Sequence, residues 1–411
     1  MLTRDDCQRL DAGDPLAFAR ARFSIPEGMI YLDGNSLGAL PRTTLPRVAD
    51  MVAREWGSDL IQSWNKADWI GLPQRVGARV ATIIGAGADE VIAADSTSVN
   101  LFKLAAAALK YQAPRKIILT ERENFPTDQY VLQGLNALLG DAAELRTVVR
   151  DEIFHVLDER VALLALTHVD YKTGAIHDMA AISTAAHKVG ALALWDLSHS
   201  AGAVEVALNR DGADLAIGCG YKYLNGGPGA PAYLFVARHL QEKLVQPLSG
   251  WMGHAAPFEF ATEYRPADGM TRFLSGTPVV LGMAALEEGL KTFDGVSMRD
   301  LQAKGRALGD LFLAQVEAQC GDADFSLGCE RDSSRRGCQV SLRHPHGYAV
   351  MQALIADGVI GDFRAPDVMR FGFPPLYTRY VDIFDAVAKL ADIMHRGRWR
   401  EERFNVRVAV T

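Results

Sequence analysis

The amino-acid sequence predicts an α/β fold, a large domain built on a mostly parallel sheet followed by a smaller α+β domain at the C-terminal end. Three observations lead there. From about Ala88 to Ala237, short apolar runs alternate with amphipathic stretches, the pattern of strands buried on both faces and joined by helical crossovers. After about Leu281 the pattern changes to longer helices and then to a mixed stretch. The length, 411 residues, suits two or three domains with a core large enough for a cofactor-dependent enzyme.

In chain order, residues 1–50 are punctuated by Pro and Gly and carry a helix starting near Pro41, so they read as an arm packed on one or both domains. The large domain is expected over 51–280, with strands at 91–94, 116–120, 145–149, 161–167, 191–196, 214–217 and 232–236 and a crossover helix at 178–189. The small domain, 281–411, is expected to hold helices at 283–292, 298–320, 347–357 and 380–395 and strands at 338–342 and 368–371.

Composition narrows the function. Hydrophobic residues are 49% and charged residues 23%, a globular balance. Lys plus Arg is 43 against 50 for Asp plus Glu, net charge −7, with no long basic run, so nucleic acid is not expected as a partner. The polar, acidic start lacks a signal-peptide pattern, and no run reaches the ~18 apolar residues that span a bilayer, so no membrane is expected and the cytoplasm is the expected location. Five scattered cysteines contain no C-x-x-C pair, and no H-E-x-x-H occurs, so neither disulfides nor a metal site is expected.

In sheets of this class ligands sit beyond the carboxyl ends of the strands, and those ends are polar here in a consistent way. Ser96-Thr97-Ser98 opens a helix after the first strand, as a phosphate seat or an ordinary N-cap. Phe125, followed by Pro126, Thr127 and Asp128, is either a plate for a planar ligand or a core plug. Asp196 ends a buried apolar strand, where a carboxylate is costly unless paired. Lys222 stands between a strand end and a glycine-rich turn, as a Schiff-base lysine or a surface lysine. Jointly these match the needs of pyridoxal phosphate: a carboxylate for the pyridinium nitrogen, an aldimine lysine, a phosphate cradle and a ring to stack on.

At this point the chain resembles the kynureninase family, pyridoxal-phosphate hydrolases of the aspartate-aminotransferase fold. The matching stretches are Tyr31-Leu32-Asp33-Gly34-Asn35-Ser36-Leu37-Gly38, Asn124-Phe125-Pro126-Thr127-Asp128, Trp195-Asp196-Leu197-Ser198-His199-Ser200-Ala201-Gly202, Tyr221-Lys222-Tyr223-Leu224-Asn225, Gly250-Trp251-Met252-Gly253-His254 and Arg370-Phe371-Gly372. The resemblance implies that Lys222 is the aldimine lysine, that Asp196 pairs with the pyridinium nitrogen beside His199, and that Phe125 stacks on the ring. It further implies that Thr97, Ser98, Pro126, Thr127, Asp128 and Thr167 line the cofactor, and that Tyr221 reaches the phosphate and donates protons. Trp251 and Thr277 are expected from the partner subunit of a homodimer with shared sites. Arg370 is expected to clamp the substrate α-carboxylate, with Trp64, Asn35 and Ser36 also at the substrate. The implied reaction is hydrolysis of L-kynurenine to anthranilate and L-alanine in tryptophan degradation. Animal members that prefer 3-hydroxykynurenine look like His and Asn at the positions of Trp64 and Thr277, so L-kynurenine is the expected better substrate. A cysteine desulfurase, with Cys329 or Cys338 as nucleophile, or a class V aminotransferase is the alternative on the same scaffold; a non-catalytic binding module is a further one.

Overall fold

The computed structural model describes residues 2–407; Met1 and residues 408–411, the extreme ends of the expected arm and small domain, lie outside them. The strands in chain order are β1 (Ile30–Tyr31), β2 (Val91–Ala93), β3 (Ile117–Glu121), β4 (Glu144–Val148), β5 (Val161–Thr167), β6 (Leu192–Asp196), β7 (Leu215–Gly218), β8 (Tyr233–Val236), β9 (Ser326–Leu327), β10 (Gln339–Arg343), β11 (Val359–Ile360), β12 (Asp362–Arg364) and β13 (Val368–Gly372).

Strands β2 to β8 form one seven-stranded sheet in the order β2-β8-β7-β6-β5-β3-β4. The pairs from β7 to β4 are all parallel, and β8 runs antiparallel to both of its neighbours, so β2 points the same way as the parallel set. Every residue of β5 and β6 is buried, as their unbroken apolar runs require with helices on both faces. The crossover helix is Met179–Lys188, capped by the Asp178 carboxylate accepting from the Ala181 N–H at 2.9 Å.

A second sheet, antiparallel and ordered β12-β13-β10-β9, belongs to the C-terminal part. Helices Met298–Gln319, Gly347–Ala356 and Tyr380–Arg396 supply its core with Phe312, Phe371 and Phe373 at the centre. Helix Val280–Lys291 instead buries Met283, Leu286 and Leu290 in the core of the larger sheet.

The arm joins both cores. Its β1 pairs parallel with β11, and the Gly38 N–H donates to the Tyr221 carbonyl at 2.8 Å. A Cβ on Gly38 would lie 2.4 Å from the Lys222 carbonyl oxygen, so only glycine permits this contact. The helix expected near Pro41 begins instead at Thr44, because Pro41 is drawn into an antiparallel bridge with Phe23. Among the described residues no helix is long and apolar enough to cross a membrane, and no group of three or more His, Cys, Asp or Glu is arranged to hold a metal.

Candidate active site

The carboxyl ends of β2, β3, β5, β6 and β7 converge on a cavity of about 300 Å³. It is lined by Thr97, Ser98, Phe125, Thr127, Asp128, Thr167, Asp196, His199, Tyr221 and Lys222, all expected at a cofactor, by Ser96 of the same helix start, and by residues such as Tyr171 and Cys219 that were not singled out.

Each wall has a local cause. Ser96 caps helix Thr97–Tyr111, its hydroxyl accepting from the Val99 N–H at 3.3 Å, which leaves Thr97 and Ser98 in a first turn whose N–H groups have no intrahelical acceptor. Pro126 opens helix Pro126–Leu138 at its first turn and does not line the cavity itself; its fixed φ sets the turn that presents Phe125. Asn124 fastens that turn, accepting from the Phe125 N–H at 2.8 Å and from the Thr167 hydroxyl, while its amide donates to the Thr120 hydroxyl at 3.1 Å.

Asp196 and Asp128 are the electrostatic centre. Burial pushes Asp196 up from the usual carboxylate range, against two hydrogen bonds from Ser198, N–H at 2.8 Å and Oγ at 2.6 Å. Burial, then the Asp196 charge, pushes Asp128 well above that range, so a proton on this pair belongs on Asp128. Two buried carboxyls of this kind call for a cation between the strand ends, which is what a protonated ring nitrogen supplies.

Lys222 reaches into the cavity with Nζ 2.9 Å from His199 Nε2 and 5.8 Å from the centroids of both the Phe125 and Tyr221 rings. Burial, then the Lys222 charge, holds the His199 imidazole well below its ordinary value, so it is neutral and accepts from the lysine. Burial raises the Tyr221 phenol, which stays protonated at neutral pH. A planar, phosphorylated, cationic ring fits this donor set: N–H groups at a helix start, an aromatic plate, a carboxylate pair and an amine.

The other expected residues lie elsewhere. Trp64 and Trp251 share a separate apolar cavity of about 790 Å³ with Ile61, Asn65, Ile70, Phe258 and Phe260, and Thr277 is exposed. Arg370 sits on β13, 1% exposed, directly opposite Asp362 of β12. Its Nε donates to Asp362 at 2.7 Å, its Nη2 to Asp362 and to Ser36 Oγ at 3.2 Å, and its Nη1 to the Tyr171 carbonyl. Tyr171 carries this cluster to the cavity, meeting Phe125 edge-on at 5.1 Å. Asn35 is fully buried against Gly372. Sequence reasoning missed Tyr171 and Asp362. Tyr171 follows β5 by four residues and was within reach of the strand-end rule, whereas Asp362 sits on a three-residue strand with no period to read.

A model of the kynureninase C-terminal domain matches residues 301–390. A kynureninase from Pseudomonas fluorescens is 49% identical and one from Burkholderia mallei (strain SAVP1) 50% identical, each over the full length of both chains. Among solved structures, an apo cysteine desulfurase from Thermococcus onnurineus NA1 superposes with a TM-score of 0.77 at 17% identity, covering 92% of this chain and 98% of its own. A C-DES variant with glycine covalently linked to its PLP cofactor superposes with a TM-score of 0.77 at 16% identity, covering 91% of this chain and 99% of its own.

Proposed function

Because this chain belongs to the kynureninase family, we propose that its strand-end cavity performs the hydrolytic cleavage of L-kynurenine to anthranilate and L-alanine through the residues expected from its sequence. The cofactor is pyridoxal phosphate. The observation that carries the assignment of roles is the juxtaposition of Lys222, His199, Asp196 and Asp128 beneath Phe125 in one cavity.

When bound, pyridoxal phosphate supplies the electron sink that weakens the substrate α C–H bond and then the β–γ bond. Thr97 and Ser98 hold its phosphate at the helix start with Tyr221, Phe125 stacks on the ring, and Thr127 and Thr167 border it. Asp196 stabilises the positive ring nitrogen, and Asp128, carrying the proton of the pair, donates rather than competes. Lys222 would anchor the cofactor, and its amine, with neutral His199 accepting from it at Nε2, is placed to carry the substrate α-proton. Tyr221, still protonated, donates in the later proton transfers. Water adds to the γ-carbonyl; its oxygen leaves in anthranilate, and the alanine β-carbon gains a proton.

Arg370 supports the α-carboxylate, steadied by Ser36 and Asp362, with Asn35 packed behind. Trp64, Trp251 and Thr277 serve the site of a second copy in a homodimer, a reading supported by the fact that none of them lines the Lys222 cavity and by the apolar cavity that holds both tryptophans. Trp64 and Thr277 also favour the unsubstituted ring over 3-hydroxykynurenine, and the site of action is the cytoplasm. The chain divides into arm 1–50, large domain 51–280 and small domain 281–411, except that helix Val280–Lys291 packs into the core of the large sheet. A desulfurase reading is disfavoured because burial raises the Cys329 thiol and pushes Cys338 up to about 12, leaving both protonated.

The test is incubation of purified protein with L-kynurenine, with and without pyridoxal phosphate. Cofactor-dependent release of anthranilate and L-alanine in equal amounts is expected; bound cofactor without anthranilate would overturn the reading. For the shared site, Lys222→Ala and Trp251→Ala chains, each inactive alone, regain activity when mixed; no recovery in a mixture shown by sedimentation to hold dimers counts against it.

A further inference from the structure

We infer that Ser198 is the positioning residue of the buried carboxyl pair: its hydroxyl decides that Asp196, and not Asp128, carries the negative charge that meets the cofactor ring nitrogen. The inference rests on the cofactor reading above.

Two buried carboxyls line one cavity, and the donors around them decide which is the anion. Asp196 closes β6, and the ladder to β7 runs one residue further, with the Leu197 N–H donating to the Ile217 carbonyl at 2.8 Å. The chain then folds over at once, the Ser200 and Ala201 N–H groups both donating to the Leu197 carbonyl at 2.9 Å. That turn brings Ser198 back onto the Asp196 side chain, where its N–H donates at 2.8 Å and its hydroxyl at 2.6 Å. An aspartate that accepts from the N–H two residues on is a recurrent turn; the second donor exists because residue 198 is a serine. Both bonds land on Oδ1, which leaves Oδ2 for the ring nitrogen.

Asp128 has no such seat. Among the described residues its neutral donor is the Thr167 hydroxyl, at 3.5 Å, and the one proton of that hydroxyl goes to Asn124 Oδ1. Hydrogen bonds to a carboxylate favour its charged form. Burial pushes both groups up; at Asp196 the Ser198 hydroxyl is the first influence to oppose it, ahead of the Lys222 charge, whereas at Asp128 the Asp196 charge adds to it. A carboxylate held in this way is a weaker base, so a proton shared with a ring nitrogen stays on the nitrogen, the state in which the ring draws electrons.

The test reads the ring nitrogen directly. Wild type, Ser198→Ala and Ser198→Thr are loaded with pyridoxal phosphate isotopically labelled at the ring nitrogen, matched by cofactor absorbance and melting temperature, and compared by nitrogen NMR, which separates protonated from unprotonated pyridine. Wild type and S198T are expected in the protonated range, with S198A displaced toward the neutral one. Loss of one charge-assisted bond predicts that kcat for L-kynurenine falls roughly ten- to hundredfold in S198A, with KM within about twofold of wild type. A ring-nitrogen signal unmoved in S198A overturns the inference. Asp128→Asn is the control for a merely structural role: with the competing carboxyl gone, adding S198A displaces the signal less than it does in wild type, and equal displacement in both backgrounds also overturns the inference. If S198A does not load, Ser198→Gly decides in its place. A wild-type protein that binds the cofactor but releases no anthranilate overturns the functional reading and leaves the ring-nitrogen comparison intact, so the two failures are distinguishable.

Discussion

At the scale of single residues, the cavity shows how buried polar groups are retained by being assigned partners. Half-buried Lys222 belongs with them, since its Nζ touches buried His199 at 2.9 Å. Lys222→Ala is expected to keep cofactor binding through the phosphate seat and Asp196 while anthranilate release falls by at least ~10²-fold; near-normal turnover would show that another group carries the chemistry. Asn124 does quieter work, joining the ends of β3 and β5 through Thr120, Thr167 and the Phe125 N–H. Asn124→Ala leaves the buried Thr167 hydroxyl only its long 3.5 Å contact to Asp128 and is expected to cost about 1–3 kcal/mol in denaturant unfolding. These residues were legible from sequence because they follow strands whose apolar runs mark their own ends.

At the scale of elements, close packing around the lysine turn is the main constraint. Helix Val280–Lys291 backs that turn at Gly289, where a Cβ would lie 2.4 Å from the Leu224 carbonyl oxygen and 2.7 Å from that of Asn225. Backbone cannot swing aside as a flexible side chain can, so Gly289→Ala is expected to cost about 1–3 kcal/mol and to lower kcat by displacing Lys222. Gly134, exposed in helix Pro126–Leu138 with nothing within 4 Å of its Cβ position, is the contrast. There Gly134→Ala is expected to stabilise by about 0.5–1 kcal/mol in the same unfolding measurement, with kcat unchanged. Buried Lys103 belongs to this scale too: it ties Asp95, just before helix Thr97–Tyr111, to the Phe273 carbonyl at 2.7 Å, uniting two segments distant in sequence.

For the whole molecule, a buried histidine directly after β5 sets an acid limit. His168 is buried and bonded to Ser200 Oγ at 2.9 Å, and that burial lowers it to about 4. The unfolded chain binds this proton near the ordinary value of 6.5, so the native state loses stability as pH falls from 6.5 through 4. That single group accounts for a loss of about 3 kcal/mol across the window. His168→Asn, which keeps a hydrogen-bonding group toward Ser200, is expected to flatten the fall in melting temperature between pH 6.5 and 4; an identical slope in both proteins would assign acid sensitivity to other groups.

By itself the sequence determined the positions of all seven strands of the large sheet, to within about two residues at either end, and the polar residues that follow them. Strands buried on both faces must be apolar along their whole length, and that demand is written locally. It also carried the two strands of the small domain long enough to show a pattern, β10 and β13. The reversed course of β8 between β2 and β7, the short strands β9, β11 and β12, and the embrace of Asp362 by Arg370, Arg364 and Ser36 were decided only by the tertiary structure. Ser36 and Asp362 are 326 residues apart, and no local pattern encodes a hydrogen bond between groups that meet only once both cores have formed.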